Sequence, residues 1–404
     1  MTETLTIERL GHRGEGVAMR RDKPVFVPLT LPGETITAEI EGNRGQLVDI
    51  LTPSPDRQPA PCPHFGACGG CQLQHLTPPA YLAFKRGLVV DALSRAGVEA
   101  EVADPVMAHG AGRRRATLHA ASARAGHSAV AGFMALRSHD IHDLDRCPIL
   151  VPALAPAPDI ARAIAATLGP CDIAFTATDL GLDIAIRVKG GKPNSRLTAI
   201  ARQFDLARLS LNGEPLIVHR QPFVTMGPSL VPVPVSSFLQ ATAEAENILA
   251  GLVVEAVKSR KKIADLFCGV GPFALRLAQS APVFAADSDV PALAALDAAR
   301  RNTKGLKPIT AERRDLFREP LVDFELKRFD AVVLDPPRAG AEAQIAELAR
   351  SKVKTIAYVS CDPQSFARDA ASLIAGGYKI STVTPVDQFV FSAHIELFAV
   401  FDRP

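Results

Sequence analysis

Three short patterns in the last third of the chain hold the residue types of a nucleophilic, proton-moving reaction. Asp335-Pro-Pro-Arg338 offers a carboxylate and a guanidinium, Ser360-Cys361-Asp-Pro363 a thiol, and His394-Ile-Glu396 an imidazole and a second carboxylate. A thiolate is a potent nucleophile, and a carboxylate beside it can accept protons. Cys361 follows Ile356-Ala-Tyr-Val, which reads as a strand stopped by Asp-Pro. Ligands of open parallel sheets bind beyond such carboxyl ends. Each residue also has a plainer reading. A free cysteine is more often a small buried hydrophobe than a nucleophile. Glu396 could be a strand-surface carboxylate, Arg338 a residue at a helix start, and His394 a structural imidazole.

A second pattern suits a cofactor. Ile263-Ala-Asp-Leu-Phe-Cys-Gly-Val-Gly271 is a strand running into a glycine turn, where backbone N–H groups can approach a ligand closely. Its spacing, D-x3-G-x-G, differs from the pyrophosphate fingerprint G-x-G-x-x-G and suits S-adenosylmethionine, which has no pyrophosphate. Asp287 ends the next apolar run, where a carboxylate can accept from ribose hydroxyls, and Asp315 follows the third, near the place of an adenine amine. Any one of these acids could be a helix cap; three at successive strand ends favour a cofactor. Cys268, inside the turn, reads as structural.

A third pattern suits a metal. Cys62-Pro-His-Phe-Gly-Ala-Cys68-Gly-Gly-Cys71 has C-x5-C-x2-C spacing, and Cys147-Pro stands far along the chain. Four thiolates serve tetrahedral zinc or an iron–sulfur cluster. His64 is a spare that could substitute as a ligand. Seven cysteines, an odd number, with no export signal at Met1-Thr-Glu-Thr, argue against a disulfide framework.

The elements that must position these groups follow from the rest of the chain. With 404 residues, two or three domains are expected, and 47% hydrophobic residues suffice for real cores. Residues 1–52 alternate apolar and polar over short stretches between turn residues, the pattern of an OB-like β-barrel. A proline-rich linker follows, then a helix over about Pro79–Ala96, strand-like sequence around Arg113–Leu144, and further strands to residue 235. From residue 236 onward apolar strands alternate with helices, the pattern of a doubly wound α/β domain. No apolar run reaches the length of a membrane span, so a cytoplasmic chain is expected. A net charge of +2 does not by itself announce a nucleic-acid partner. The densest basic stretch, Arg113-Arg-Arg115 with His119, Arg124, His127, Arg137 and His139, reads as a solvated face or as a surface for phosphates.

Taken in order, these motifs resemble those of the RNA uracil-5-methyltransferase family, in particular the iron–sulfur, TRAM-domain type that makes 5-methyluridine in 23S rRNA. The matching residues are the barrel-like start, Cys62/Cys68/Cys71/Cys147, Ser237-Phe238-Leu-Gln240, the Asp265–Gly271 turn, Asp335-Pro-Pro-Arg338, Ser360-Cys361-Asp-Pro363 and His394-Ile-Glu396. The resemblance implies a multidomain α/β protein. Its parts would be a TRAM barrel (1–52), a central α+β domain carrying a four-iron, four-sulfur cluster on the four cysteines (53–235), and a Rossmann-like class I methyltransferase domain (236–404). It implies that Cys361 adds to carbon 6 of uracil and that Glu396 removes the carbon-5 proton. Gln240, Phe267, Gly269, Gly271, Asp287, Asp315 and Asp335 would hold S-adenosylmethionine. Arg338, Arg113 and Arg115 would contact RNA, whose uridine must be unpaired or flipped out to be reached. A monomer is expected.

There are departures from the family pattern: Pro272 after the glycine turn, Ala241-Thr242 after Gln240, and Val390-Phe-Ser392 before the base. Three other readings compete. A transfer-RNA T-loop uridine could be the target. Cytosine-5 methylation uses similar chemistry but places its cysteine in Pro-Cys, where this chain has Asp-Pro-Pro-Arg. A non-catalytic RNA-binding module would leave the Cys361/Glu396 pair without a purpose.

Overall fold

A computed structural model describes residues 2–122 and 128–404. Arg124 and His127 of the basic stretch therefore lie outside the described residues. The amino-terminal strands form a six-stranded mixed sheet in the order Thr2–Thr6, Thr35–Glu41, Arg44–Thr52, Lys23–Val27, Gly16–Arg20, Arg9–Leu10. The two ends of that order are separated in the chain by Ile7 and Glu8 alone, and the Glu8 amide donates to Val17 O at 2.9 Å. The sheet therefore has to curl, and alternate residues such as Val25, Val27, Ile36 and Ala38 fill its interior. Buried Glu34 accepts from Arg57 and from the Leu31 and Ser54 amides, fastening this unit to the linker.

A second, seven-stranded sheet runs from Ile141–Asp143 through Arg115–Ala121 and Cys171–Thr178 to Glu214–Val218. Its one parallel pair, Gly181–Arg187 with Arg208–Leu211, is linked through the helix Ser195–Gln203, which Asn194 caps with bonds from the Arg196 and Leu197 amides. The helix Ala157–Leu168 lays Ile160 and Ile164 onto Ile173, Phe175 and Ile184.

The third sheet positions the candidate site. Its order is Ile309–Arg313, Val283–Asp287, Ile263–Leu266, Ala331–Leu334, Thr355–Ser360, Glu396–Asp402, Thr384–Asp387, Val106–Met107. The first five strands are parallel, and the four inside the edge strand Ile309–Arg313 are buried on both faces, which is why they read as nearly continuous apolar runs. Glu396–Asp402 enters antiparallel, so this sheet too is mixed. Strand order reverses between Ile263–Leu266 and Ala331–Leu334, and a crevice forms beyond the carboxyl ends at such a switch point.

A division at residue 235 is not where the packing divides. The strand Val106–Met107, expected in the central domain, pairs with Val386 and Asp387 at the edge of the third sheet. The helix Pro78–Arg95 packs Val89, Ala92 and Leu93 into the same core as Leu266, Leu334 and Tyr358. A lone strand edge and an exposed apolar helix face are both costly, so this stretch joins the larger sheet.

The same helix buries a charge. Lys85 has no exposed surface, and its ammonium reaches Asp387 Oδ1 at 2.8 Å together with the carbonyls of Phe389 and His394. The Tyr81 hydroxyl donates to the other oxygen of Asp387. Breaking one partner of a buried pair leaves an uncompensated charge. Lys85→Ala is therefore expected to lower unfolding free energy by about 3–5 kcal/mol in denaturant titrations. The double variant Lys85→Ala/Asp387→Ala should cost clearly less than the two single changes summed; simple additivity would refute the pairing.

Candidate active site

The three strand-end patterns meet where the topology requires. Asp335 begins the loop after Ala331–Leu334, Cys361 follows Thr355–Ser360, and Glu396 opens the antiparallel strand between them and the edge. All three line one cavity of about 370 Å³ with Arg338 and Gln240. Phe267, Gly269 and Asp287 line it as well. Asp362 caps the helix Pro363–Ala375 by accepting from the Gln364 and Ser365 amides, so Cys361 stands one residue before a helix start. A helix N-terminus favours negative charge nearby.

The glycine turn is built by its dihedrals. Phe267 sits at φ 62°, left-handed backbone that costs an aromatic residue on the order of 1–3 kcal/mol and concentrates at functional sites. Asp287 Oδ2 accepts from the Gly269 amide at 2.8 Å, joining the turn to the next strand. Gly271 answers to packing instead: a Cβ there would lie 2.4 Å from Leu296 Cδ1. It is not among the cavity-lining residues. Asp315 follows Ile309–Arg313, as expected, with a half-exposed side chain. It is not among the lining residues either, and its Oδ1 accepts from the Phe317 amide two residues on. Arg314, Leu316 and Phe317 border the cavity, with Phe317 against Phe267 at 5.5 Å between centroids.

The cavity concentrates carboxyl groups away from water. Burial, then Asp335, pushes the Glu396 carboxyl up to about 8. Burial pushes Asp335 up to about 7. Asp265 was read only as part of the turn, yet it is fully buried; its carboxyl oxygens find no partner among the described residues, and burial and Asp335 hold it well above the carboxylate range. Burial also pushes the Cys361 thiol up to about 12, with Glu396 and Asp335 adding to the effect and Arg338 opposing it. Arg338 Nη2 lies 2.7 Å from His394 Nδ1. Since guanidinium can only donate, that imidazole accepts, and burial holds His394 below its usual pKa. So His394 steers Arg338. Such a pocket favours a cation, which would release the protons that burial retains.

Sequence reading missed one residue at the centre of this network. Gln388 is buried and hydrogen-bonded to both Gln240 and Glu396. It lies eight residues before Glu396, on the far side of a loop. The nearest signal for it was a polar residue at the end of an apolar strand.

The cysteine pattern also comes together. Cys62, Cys68, Cys71 and Cys147 all border one cavity of about 190 Å³, walled by Phe65, Phe133, Leu144 and Ile149. Burial pushes Cys71 up to about 12 and Cys147 to about 11, and each is raised further by the other cysteines. Among the described residues, however, no group of three or more His, Cys, Asp or Glu is arranged to hold a metal ion. The expected metal or cluster site on these four cysteines is therefore not shown by the arrangement of their side chains, although they share one cavity. His64 is engaged elsewhere, with His142 at 3.0 Å and Asp145 at 2.6 Å.

The arginine triplet divides its work. Arg114 is buried, pairing with Glu246 at 2.7 Å, which removes it from any solvated face. Arg115 donates to Leu239 O and lies over exposed Phe238 at 5.2 Å. Arg113 stands over Phe389 at 5.9 Å and borders both the cysteine cavity and a groove that shares Ser237, Phe238 and Leu239 with the main cavity. His119 pairs with Asp172 and Arg137 with Glu15, whereas His139 lines a separate open groove.

The profile of the tRNA (uracil-5-)-methyltransferase family matches residues 233–403. An uncharacterized RNA methyltransferase of Rhizobium meliloti (strain 1021) is 45% identical over 100% of both chains. The 23S rRNA (uracil(1939)-C(5))-methyltransferase RlmD of Pseudomonas fluorescens is 33% identical, covering 99% of this chain and 94% of its own. The chain belongs to the RNA uracil-5-methyltransferase family. A solved tRNA (uracil-54, C5)-methyltransferase of Pyrococcus abyssi, bound to S-adenosyl-L-homocysteine, shares the fold with a TM-score of 0.75 at 24% identity, over 98% of this chain and 99% of that one. This is an S-adenosylmethionine-dependent enzyme family, and no helix of the described residues is long and apolar enough to cross a membrane.

The raised pKa of Glu396 gives a signed stability prediction. A carboxyl whose folded pKa lies above its ordinary value stabilises fully below that ordinary value, and the contribution is lost as pH rises through about 8. Glu396→Gln, which stays neutral, should therefore gain stability over the native apo-protein at about pH 9, on the order of a few kcal/mol, and gain little at about pH 5. Thermal unfolding at the two pH values measures it; equal offsets at both would contradict the assignment.

Proposed function

We propose that the protein methylates carbon 5 of a uridine in 23S rRNA through a covalent Cys361–carbon 6 adduct. The observation that carries this reading is the meeting of Cys361, Glu396, Asp335 and Gln240 in one cavity at the switch point of the sheet. Carbon 5 of uracil is a poor nucleophile until a group adds at carbon 6. Cys361 Sγ is the addend, and the resulting enolate takes the methyl group of S-adenosylmethionine. Glu396 then removes the carbon-5 proton, the double bond re-forms, and the thiolate departs. Asp335 and Gln240, which line the same cavity as the glycine turn, would face the cationic donor. Arg338, held by His394, faces the uracil. Exposed Phe238, stacked by Arg115 at the mouth, offers a platform to an unstacked base.

The choice of ribosomal RNA rests on the 23S rRNA activity for which the Pseudomonas relative is named. The Pyrococcus structure is named for a tRNA position, which makes the T-loop uridine the second reading. The curled amino-terminal sheet is read as a TRAM-type RNA-binding barrel, and residues 53–235 as the part that carries the cysteines.

The four cysteines are read as ligands of a four-iron, four-sulfur cluster. The support is chemical: four thiols border one roughly 190 Å³ cavity with Phe65, Phe133, Leu144 and Ile149 in its walls, and four thiolates are the ligand set of such a cluster. Arg113 beside Cys71 and Cys147 would balance thiolate charge. Such a cluster would supply either a structural tie or an electron-transfer centre. Anaerobically purified protein is expected to be brown, with visible absorbance that Cys71→Ser abolishes; a colourless protein holding stoichiometric zinc would overturn this reading.

The function is tested with labelled S-adenosylmethionine and separate ribosomal and transfer RNA transcripts, followed by mapping of the methylated base. Methyl transfer to a ribosomal uridine is expected. With 5-fluorouridine RNA, where the base cannot abstract fluorine, a covalent complex should accumulate, and Cys361→Ala should reduce it at least a thousandfold, to background. Label on cytosine, or on neither RNA, would sink the proposal.

A further inference from the structure

Gln388 uses every hydrogen-bonding position of its amide. Its Oε1 accepts from the Ala241 amide at 2.7 Å and the Thr242 amide at 3.4 Å, while Nε2 donates to Gln240 Oε1 at 2.7 Å and Glu396 Oε1 at 2.9 Å. The two ends of a carboxamide are ordinarily interchangeable by a flip. Here two backbone N–H groups demand oxygen on one side, so nitrogen must face Gln240 and Glu396. The order propagates. Gln240 accepts at Oε1 and therefore presents Nε2 to Asp335 Oδ2, at 3.3 Å. Glu396 has Oε1 committed as an acceptor, which leaves Oε2, buried and without a partner among the described residues, in a residue lining the cavity with Cys361.

We infer that Gln388 is a positioning residue that selects Oε2 of Glu396 as the atom exchanging the carbon-5 proton, while holding Gln240 against Asp335 on the methyl-donor side. The inference rests on the uracil-5 methylation reading. In the step concerned, Oε2 takes the proton from carbon 5, the C–H electron pair re-forms the carbon 5–carbon 6 double bond, and the carbon 6–Sγ pair returns to Cys361 as thiolate. Nothing else is consumed.

Several groups bias the charge on Glu396. Asp335 and Arg338 face it from the loop after Ala331–Leu334, and Cys361 from the end of Thr355–Ser360. On its own loop His394 is engaged with Arg338, and on the adjoining strand Asp387 is neutralised by Lys85. Burial and Asp335 favour the protonated acid; the Gln388 donor and Arg338 favour the carboxylate. Loss of the donor shifts Glu396 towards the acid, which cannot accept a proton, so elimination slows at neutral pH and recovers at higher pH. A carboxylate at position 388 would also repel Glu396 and shift it further.

The native protein, Gln388→Leu and Gln388→Glu are compared on ordinary and 5-fluorouridine RNA across pH. Both variants are expected to form the fluorouridine adduct, which shows that folding and methyl transfer survive. On ordinary RNA they should accumulate a methylated covalent protein–RNA complex several-fold over native. The pH midpoint of product release should rise by about one unit for Gln388→Leu and by more for Gln388→Glu. If Gln388→Leu does not fold, Gln388→Glu, closest in shape, carries the comparison. Variants that form the fluorouridine adduct but release product with the native midpoint overturn the inference and leave the proposed function standing. Folded variants that form no adduct overturn it too, since Gln388 would then act before elimination. A native protein that forms no adduct sinks the underlying reading instead.

Discussion

The ammonium of Lys85 is the constraint on which the rest of the site depends. It is brought in by a helix some 300 residues before its partners in the chain and is buried completely among Asp387 and the carbonyls of Phe389 and His394. A charge so placed cannot turn to water, and its partners cannot leave it without a heavy electrostatic cost. The loop from Asp387 to Glu396 is thereby pinned at both ends. The amides of Gln72 and Leu73 add a third point by donating to Phe391 O. Those two residues follow Cys71 directly, so the cysteine cavity is tied through one piece of backbone to the loop that leads to Glu396.

Within that frame the reactive groups need little further support from their neighbours in sequence. Cys361 is set by a buried parallel strand and a capped helix. Glu396 is set by an antiparallel strand that enters between the parallel core and the edge. The pocket between them is rich in buried carboxyl groups whose pKa values are raised, a setting in which an arriving cation shifts the protons. Electrostatic preorganisation of this kind is the larger part of what a protein adds to such chemistry.

Much of this was legible in the residues, and the reason differs case by case. The strand–turn–helix repeats were visible because parallel strands buried on both faces are continuously apolar and end at polar turns. Cys361 and Asp335 could be named because each follows such a run, whereas Glu396, which opens its strand, was named through the resemblance of His394-Ile-Glu396 to a family motif. The four cysteines could be grouped because chemistry gives thiols few other uses in that spacing, although the distance to Cys147 gave no geometry. Illegible were the features set by contacts across the chain. Lys85 reads as an ordinary helix-surface lysine, Gln388 as an unremarkable polar residue, and Val106–Met107 as a fragment of the central segment. The second role of Asp315 was equally hidden: its Oδ1 also closes its own turn by accepting from the Phe317 amide. Arg114 was hidden by its two neighbours of the same type: only the packing shows that it points towards Glu246.

The edge strand Val106–Met107 has a consequence for how such a chain can be inherited. A recombination event at residue 235 would deliver a methyl-transfer unit without the strand that finishes its sheet. Asp387 would also arrive without the cation that keeps it soluble in the interior. The new host would receive a raw β-edge and a stranded negative charge. Reaction centre and cysteine segment therefore cannot be traded as separate cassettes. Evolution must keep or discard them together, even though each has its own cavity.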